Sequence, residues 1–423
     1  MEDEKINTIR SREDYLRQKK CSSSFVRKLS EATTQSFHSW IKARKENNFS
    51  FFQEDLSLLV ALKKEEADLL GYEQHPYDAL LDDHDKGSTV AQLDPLFSAL
   101  AKPLKELLEK IKNASAIDNS ILTQHYSSKA QWDFGMQIIK DLGYDLEAGR
   151  QDIAEHPFSI NFNNKDVRIT TRIDENDLGN MLWSCIHEVG HALYEQGLPD
   201  GQYGLPLGEA ASYTIHESQS RLWENHVGRS EGFINHYFPL FKKYFPEQLK
   251  NTEASDLYKA INKVTPSLIR TEADELTYHF HVMIRYEVEK LLIGGDLNTK
   301  DIPAFWNEQY EKFLGVKVPD DKTGCLQDIH WSHGSFGYFP TYSLGSLYAC
   351  QFYRSAKKEL PDLDHAIANG SFQPLLNWLR SKVHADGRRY TSGDLCQKIT
   401  GETLQPTYFL EYLLGKYSNI YHF

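Results

Sequence analysis

Apolar residues recur every three or four positions through most of this chain, with strong helix formers between them. The runs KLSEATTQSFHSWIKARKEN, DLSLLVALKKEEADLLGY and LDPLFSALAKPLKELLEKIKN carry this spacing, which predicts amphipathic helices. QWDFGMQIIKDLGYDLEAGRQDIA reads as a further helical stretch ending before His156-Pro157-Phe158, and HPYDALLDDHDKGST as a turn-rich connection. Alternation with a period of two is clear only in DVRITTRI, residues 166–173, which predicts a strand. The acidic segment DENDLGN then offers capping side chains to a helix through MLWSCIHEVGHALYEQG. After the Gly/Pro-rich loop GLPDGQYGLPLG, helices are predicted over 211–228, 232–249, 255–264 and 266–294. DKTGCLQDIHWSHGSFGYFPTYSLGS reads as irregular, and helices resume with SLYACQFYRSAKKEL, PLLNWLRSKVHADG, SGDLCQKITG and PTYFLEYLLGKYSNIY. No repeat or linker interrupts the pattern. The expected fold is mainly α: a single large helical domain with a small β-sheet near residue 170.

Charge narrows the partners. The 423 residues carry 47 basic and 60 acidic side chains, a net charge of −13, which disfavours nucleic acid and anionic membranes. The opening MEDEKINTIRSREDYLRQKK is densely charged without an apolar centre, so it does not read as a signal peptide. No window approaches the roughly 18 uncharged apolar residues of a membrane span, and a cytoplasmic location is the default expectation. The five cysteines are scattered, with no C-x-x-C pair, so neither a disulfide framework nor a thiolate zinc site is expected. Cys185 reads as a small core thiol.

Chemistry enters at His187-Glu188-Val189-Gly190-His191. Histidines at i and i+4 share one helix face and can reach a single metal ion. A glutamate beside the first can take a proton from a water held there. This is the H-E-x-x-H pattern of zinc peptidases; the bland alternative is a helix with two solvated histidines. Gly190 in mid-helix is costly unless something approaches closely. A third protein ligand is expected, with one position left open for water. The candidate is Glu217 in Thr214-Ile215-His216-Glu217-Ser218-Gln219, beyond the Gly/Pro-rich loop on a returning helix. His216 competes, because adjacent helical positions diverge by about 100° and only one can face the metal. Glu224 and His226, further along, read as solvated or structural.

Six motifs then occur in order: HPF at 156–158, Asp166-x-Arg168-x-Thr170, HEVGH at 187–191, HESQ at 216–219, Ile269-Arg270-x-x-Ala273-Asp274, and Gly324-x-x-Gln327-Asp328-x-His330-Trp331. This set resembles the carboxypeptidase Taq family of metallocarboxypeptidases. The resemblance runs from about Phe25 to the C-terminus, giving an expected metallocarboxypeptidase domain over 25–423 behind a charged leader over 1–24. Family members typically carry an additional helical N-terminal segment, which this chain is expected to lack, leaving its activity and dimerisation open. The resemblance implies a deep groove in an architecture like that of neurolysin and the angiotensin-converting enzymes. It also implies removal of single residues from peptides with a free C-terminus, dependence on Zn2+ or Co2+, and a homodimer; Mn2+ also accepts two histidines and a carboxylate.

The resulting assignment has His187, His191 and Glu217 as metal ligands and Glu188 as general base, then acid. Arg270 is the candidate clamp for the substrate carboxylate, because its planar fork makes two charge-assisted hydrogen bonds; the alternative is an ion pair with Asp274 at i+4. Arg168 is the runner-up clamp. His330, Tyr338 and Tyr342 are candidate donors to the oxyanion, with Asp328 orienting a histidine behind them. Strand 166–173 is expected at a sheet edge where an extended peptide can pair. Two rival readings are an endo-oligopeptidase on the same scaffold and a shortened, inactive paralogue that binds peptides.

Overall fold

Helices form where apolar spacing and capping residues coincide, and strands only where distant segments meet. A computed structural model describes residues 2–423. Its described residues divide into two compact units, one of residues 2–7, 111–263 and 344–423, the other of residues 8–110 and 264–343.

The first unit holds the sheet. Strands β1 (Gly149–Ile153), β2 (Ser159–Asn163) and β3 (Asp166–Thr171) lie in the order β1-β3-β2. β1 runs parallel to β3, pairing Gly149 with Val167 and Ile153 with Thr171. β2 runs antiparallel, pairing Ser159 with Ile169 and Ile160 with Arg168. The strand read from sequence is therefore the centre of the sheet, not an edge. Its neighbours escape sequence reading because β1 lies in what reads as a helical continuation and pairs only with a distant segment. That helix, Ser128–Asp141, stops before Gly143, whose φ of +99° leaves the helical region.

Helix Leu178–Glu195 follows the sheet. Asp177 is its N-cap, accepting from the amides of Gly179 (3.0 Å) and Asn180 (3.3 Å), as the acidic segment led us to expect. Its apolar residues are buried on nearly every side: Leu178, Met181, Leu182, Cys185, Ile186, Val189, Ala192 and Leu193. Cys185 is a core thiol whose pKa burial pushes up to about 12. The next helix, Tyr213–Arg221, starts at Ser212, whose hydroxyl accepts from the Ile215 amide, and widens into a π-helix over Leu222–Gly228. The helix Glu2–Gln18 contributes buried Asn7, which bonds Gln202 and the Leu207 amide within this unit.

In the second unit, helices Ser23–Glu46 and Ser50–Leu70 pack around Phe25, Ala32, Leu59 and Leu62. The turn-rich 75–89 segment contains a short buried helix, Pro76–Leu81. The helix expected over 266–294 begins only at Tyr278. Before it, Asp274 accepts from the amides of Thr265, Leu276 and Thr277. That bonding holds the segment in turns, where a helix would bond these amides to carbonyls. Only a 3-10 turn, Arg270–Glu272, remains of the predicted helical start.

Candidate metal centre and active site

The i, i+4 spacing does place His187 and His191 side by side, with ring centroids 4.9 Å apart. Glu217 comes to them from the following helix: its Oε2 lies 3.7 Å from His187 Nε2 and 3.4 Å from His191 Nε2. One ligand atom from each residue falls within 4.8 Å of the others. His216, the competing candidate, points its Nδ1 at His191 Nδ1 (2.5 Å) and its Nε2 at Glu195 Oε1 (2.8 Å). The alternation of adjacent helical positions thus sends Glu217 to the trio and His216 behind it.

Close backbone approach makes this convergence possible. A Cβ on Gly190 would lie 2.5 Å from Ser220 Cα and 2.8 Å from Gln219 O, on the neighbouring helix. A Cβ on Gly345, in helix Phe339–Glu359, would lie 2.6 Å from Glu217 Cγ. Glu217 is therefore squeezed into register from both sides. Gly190→Ala is expected to push the two ligand-bearing helices apart and destabilise the protein by about 1–3 kcal/mol. It should also weaken divalent-metal affinity at least about tenfold, by the scale seen when ligand support is disturbed. Chelator competition and thermal unfolding of the metal-free protein check the two effects separately.

The donor set fits a divalent cation. Two imidazole nitrogens and a carboxylate oxygen are the ligand types of an open catalytic site. Burial pushes His191 down to about 3, so its ring is neutral and keeps a lone pair to donate. For His187, burial acts downward, but Glu217 and the Glu224 hydrogen bond outweigh it and raise the pKa. Burial likewise opposes ionisation of Glu217, yet Arg221 and His187 hold it well below the usual carboxylate range. Arg221 Nε donates to Glu217 Oε1 at 2.7 Å. Glu224 Oε2 lies 2.9 Å from His187 Nδ1 and accepts from Arg221 Nη1 at 3.2 Å, while Arg229 Nη2 donates to its Oε1 at 3.3 Å. Glu224 thus orients the His187 ring. It sits two helical turns after Glu217, and that shared face is the only sequence signal for the role. Glu188 is 7% exposed, and its burial pushes it up to about 7, with His187 pulling the other way.

Five other residues singled out from sequence gather in the second unit: Arg270, Asp328, His330, Tyr338 and Tyr342. Arg270 Nε and Nη2 both donate to Asp328 Oδ1, at 3.0 and 2.8 Å, and its Nη1 donates to the Tyr278 hydroxyl at 3.0 Å. Asp274 is occupied by backbone amides, so the i+4 pair does not form. Asp328 also accepts from Arg285 Nε at 2.6 Å, and both arginines hold it far below the usual carboxylate range against its burial. Asp328 is bonded to the two arginines, not to a histidine as expected. His330 Nε2 lies 2.9 Å from the Tyr342 hydroxyl, and burial pushes the ring down to about 3, keeping it neutral. Tyr338 packs on both, with ring centroids 5.5 Å from His330 and 5.2 Å from Tyr342. Sequence reading misses Arg285 and Tyr278, which sit two turns apart on one helix face with nothing local to mark them. Arg168 stands apart: it pairs with Asp166 at 2.8 Å, is about half exposed, and lies over the Phe162 ring.

A helical protein with a histidine–histidine–carboxylate trio and a glutamate beside the first histidine is a metal-dependent peptidase by fold and site. The chain belongs to the carboxypeptidase Taq (M32) family of metallopeptidases, whose model matches residues 1–417, and it is a metallocarboxypeptidase. Thermostable carboxypeptidase 1 of Thermus thermophilus is 42% identical over 432 aligned positions, covering 100% of this chain and 84% of the relative. Carboxypeptidase 1 of Bacillus subtilis is 38% identical, covering 99% and 84%. The crystal structure of the M32 carboxypeptidase from Deinococcus radiodurans superposes with a TM-score of 0.97 at 38% identity, covering 100% of this chain and 85% of that one. The mainly helical fold with its small sheet matches these structures. Among the described residues, no helix is long and apolar enough to cross a membrane.

Proposed function

We propose that this chain is a zinc-dependent exopeptidase that releases single residues from peptides with a free C-terminus. The observation that carries the reading is the convergence of His187 Nε2, His191 Nε2 and Glu217 Oε2 beside buried Glu188. His187, His191 and Glu217 would hold a divalent cation, which would supply Lewis acidity toward the scissile carbonyl and the attacking water. Zinc suits two imidazoles and a carboxylate in a four-coordinate site, and Co2+ and Mn2+ accept the same donors. Glu188 takes the proton of the attacking water and delivers it to the leaving amine. His330, Tyr338 and Tyr342 serve as neutral donors to the developing oxyanion, a role supported by the neutral state of the His330 ring.

Arg270 recognises the substrate carboxylate. Support comes from charge: Arg270 and Arg285 share one carboxylate, Asp328, which leaves a net positive charge among buried hydroxyls. Three hydrogen bonds hold the guanidinium in a defined plane and use three of its five N–H donors. Arg168, tied to Asp166 on an exposed face, is the weaker candidate. The acidic net charge is in keeping with a cytoplasmic enzyme that does not bind nucleic acid, and assembly as a homodimer completes the proposal.

One peptide prepared with a free and with an amidated C-terminus tests the specificity. With metal-loaded protein, mass spectrometry should find chelator-sensitive stepwise loss of single residues from the free form and little from the amide. Internal cuts in both forms would make the protein an oligopeptidase and remove the role given to Arg270.

A further inference from the structure

Behind His191 lies a line of three hydrogen-bonding groups that the chemistry above does not use. His191 Nδ1 faces His216 Nδ1 at 2.5 Å, and His216 Nε2 faces Glu195 Oε1 at 2.8 Å. Asn161 Nδ2, from strand β2, donates to Glu195 Oε2 at 2.8 Å. Glu195 is 6% exposed and sits one helical turn beyond His191, while His216 precedes Glu217 on the next helix.

The direction of each bond is dictated by what each atom can do. A carboxylate oxygen only accepts, so His216 must carry its proton on Nε2. Two N–H groups cannot face each other across 2.5 Å, so one of the two facing Nδ1 atoms is bare and accepts. When His216 Nδ1 is the acceptor, His191 carries its proton on Nδ1 and its lone pair is left on Nε2, the atom that faces Glu217 Oε2 at 3.4 Å. With the opposite tautomer, His191 would point an N–H into the metal site and could not bind a cation there.

We propose that Glu195 and His216 are positioning residues that lock His191 in the metal-binding tautomer, with Asn161 anchoring the pair to the sheet. The two histidine ligands are thus oriented differently. His187 is oriented directly by a carboxylate, Glu224, and His191 through an intervening imidazole. This assignment also explains why the residue before the third ligand is a histidine: it faces the back of the previous ligand while Glu217 faces its front. It rests on the reading of His187, His191 and Glu217 as metal ligands.

The test measures metal binding by the full chain. Metal-free wild type and variants are titrated with Zn2+ against a chromophoric chelator, and with Co2+ while its visible absorption is recorded. Metal-free thermal unfolding serves as the control for folding. His216→Ala should weaken Zn2+ binding about 10- to 100-fold and change the Co2+ spectrum. His216→Asn should restore most of the affinity, because its amide oxygen can occupy the place of the ring Nδ1. Glu195→Ala should weaken binding, and Glu195→Gln should not, because the amide oxygen still accepts from His216 and the Asn161 amide can turn over. If the His216→Ala protein does not fold, the Glu195 pair decides alone. Unchanged affinity and spectrum in the alanine variants would overturn the proposal. So would equal losses in the alanine and amide variants at matched metal-free stability, since that pattern marks packing alone. A wild type that binds no metal would overturn the ligand reading and this proposal together, whereas a wild type that binds one ion alongside unaffected variants would overturn this proposal only.

Discussion

Glu188→Gln is expected to lower kcat by about 10³-fold or more, toward the upper end of what a positioned general base and acid contributes, while one metal ion per chain remains bound. The amide is nearly isosteric with the carboxylate but cannot take a proton from water. Glu188 lies outside the trio of donor atoms, so metal affinity should be retained. Kinetics on a peptide with a free C-terminus, together with elemental analysis, separate the two effects. Turnover within about tenfold of wild type would remove Glu188 from the chemistry. The same substitution has a stability signature in metal-free protein. Burial raises Glu188 from 4.5 to about 7, so the folded state binds more protons than the unfolded state between those values. Stability should therefore fall as pH rises from about 4.5 to about 7. Glu188→Gln removes this dependence, and denaturant titrations across that range should show a flatter profile for the variant.

The second large effect is one of stability. Asp328→Ala should destabilise the protein by about 3–5 kcal/mol, because it strands two buried guanidiniums without a counter-charge. Arg270 is 6% exposed and Arg285 is fully buried, and Asp328 binds both through separate oxygens, Oδ1 and Oδ2. The partnership also has a pH sign. The folded pKa of Asp328 lies far below its ordinary value, so its contribution is complete above about pH 4 and is lost only as acid protonates the folded carboxyl. Chemical denaturation at neutral pH measures the loss, and a change under about 1 kcal/mol would mean that other groups neutralise the arginines. With Arg270 loosened, the KM for a peptide with a free C-terminus should rise more than that for its amide.

These two sites differ in how far the amino-acid sequence reveals them. His187, Glu188 and His191 lie within two turns of one helix, where local geometry alone sets their neighbours. Glu217 follows because one loop and one return helix leave few other donors within reach. The cluster around Asp328 joins Arg270, Arg285 and Asp328 from three separate segments. Sequence reading points to Arg270, His330, Tyr338 and Tyr342, but the Asp274 pair offered as the alternative for Arg270 does not form, and Asp328 bonds two arginines in place of the expected histidine. It supposed a helix through 266–294, where backbone amides bonded to Asp274 instead hold a turn.

Helix content, the strand at residue 170, the cap at Asp177 and the side-by-side placement of His187 and His191 follow from local spacing: the periods of helix and strand are properties of neighbouring residues. Pairing is not. Strand β1 forms only because β3 offers it a parallel partner, Glu224 orients His187 rather than facing water, and Gly190 is needed only because Ser220 presses against it. Each of these depends on a group far away along the chain, and burial gives the contact its strength, so only the tertiary structure decided them.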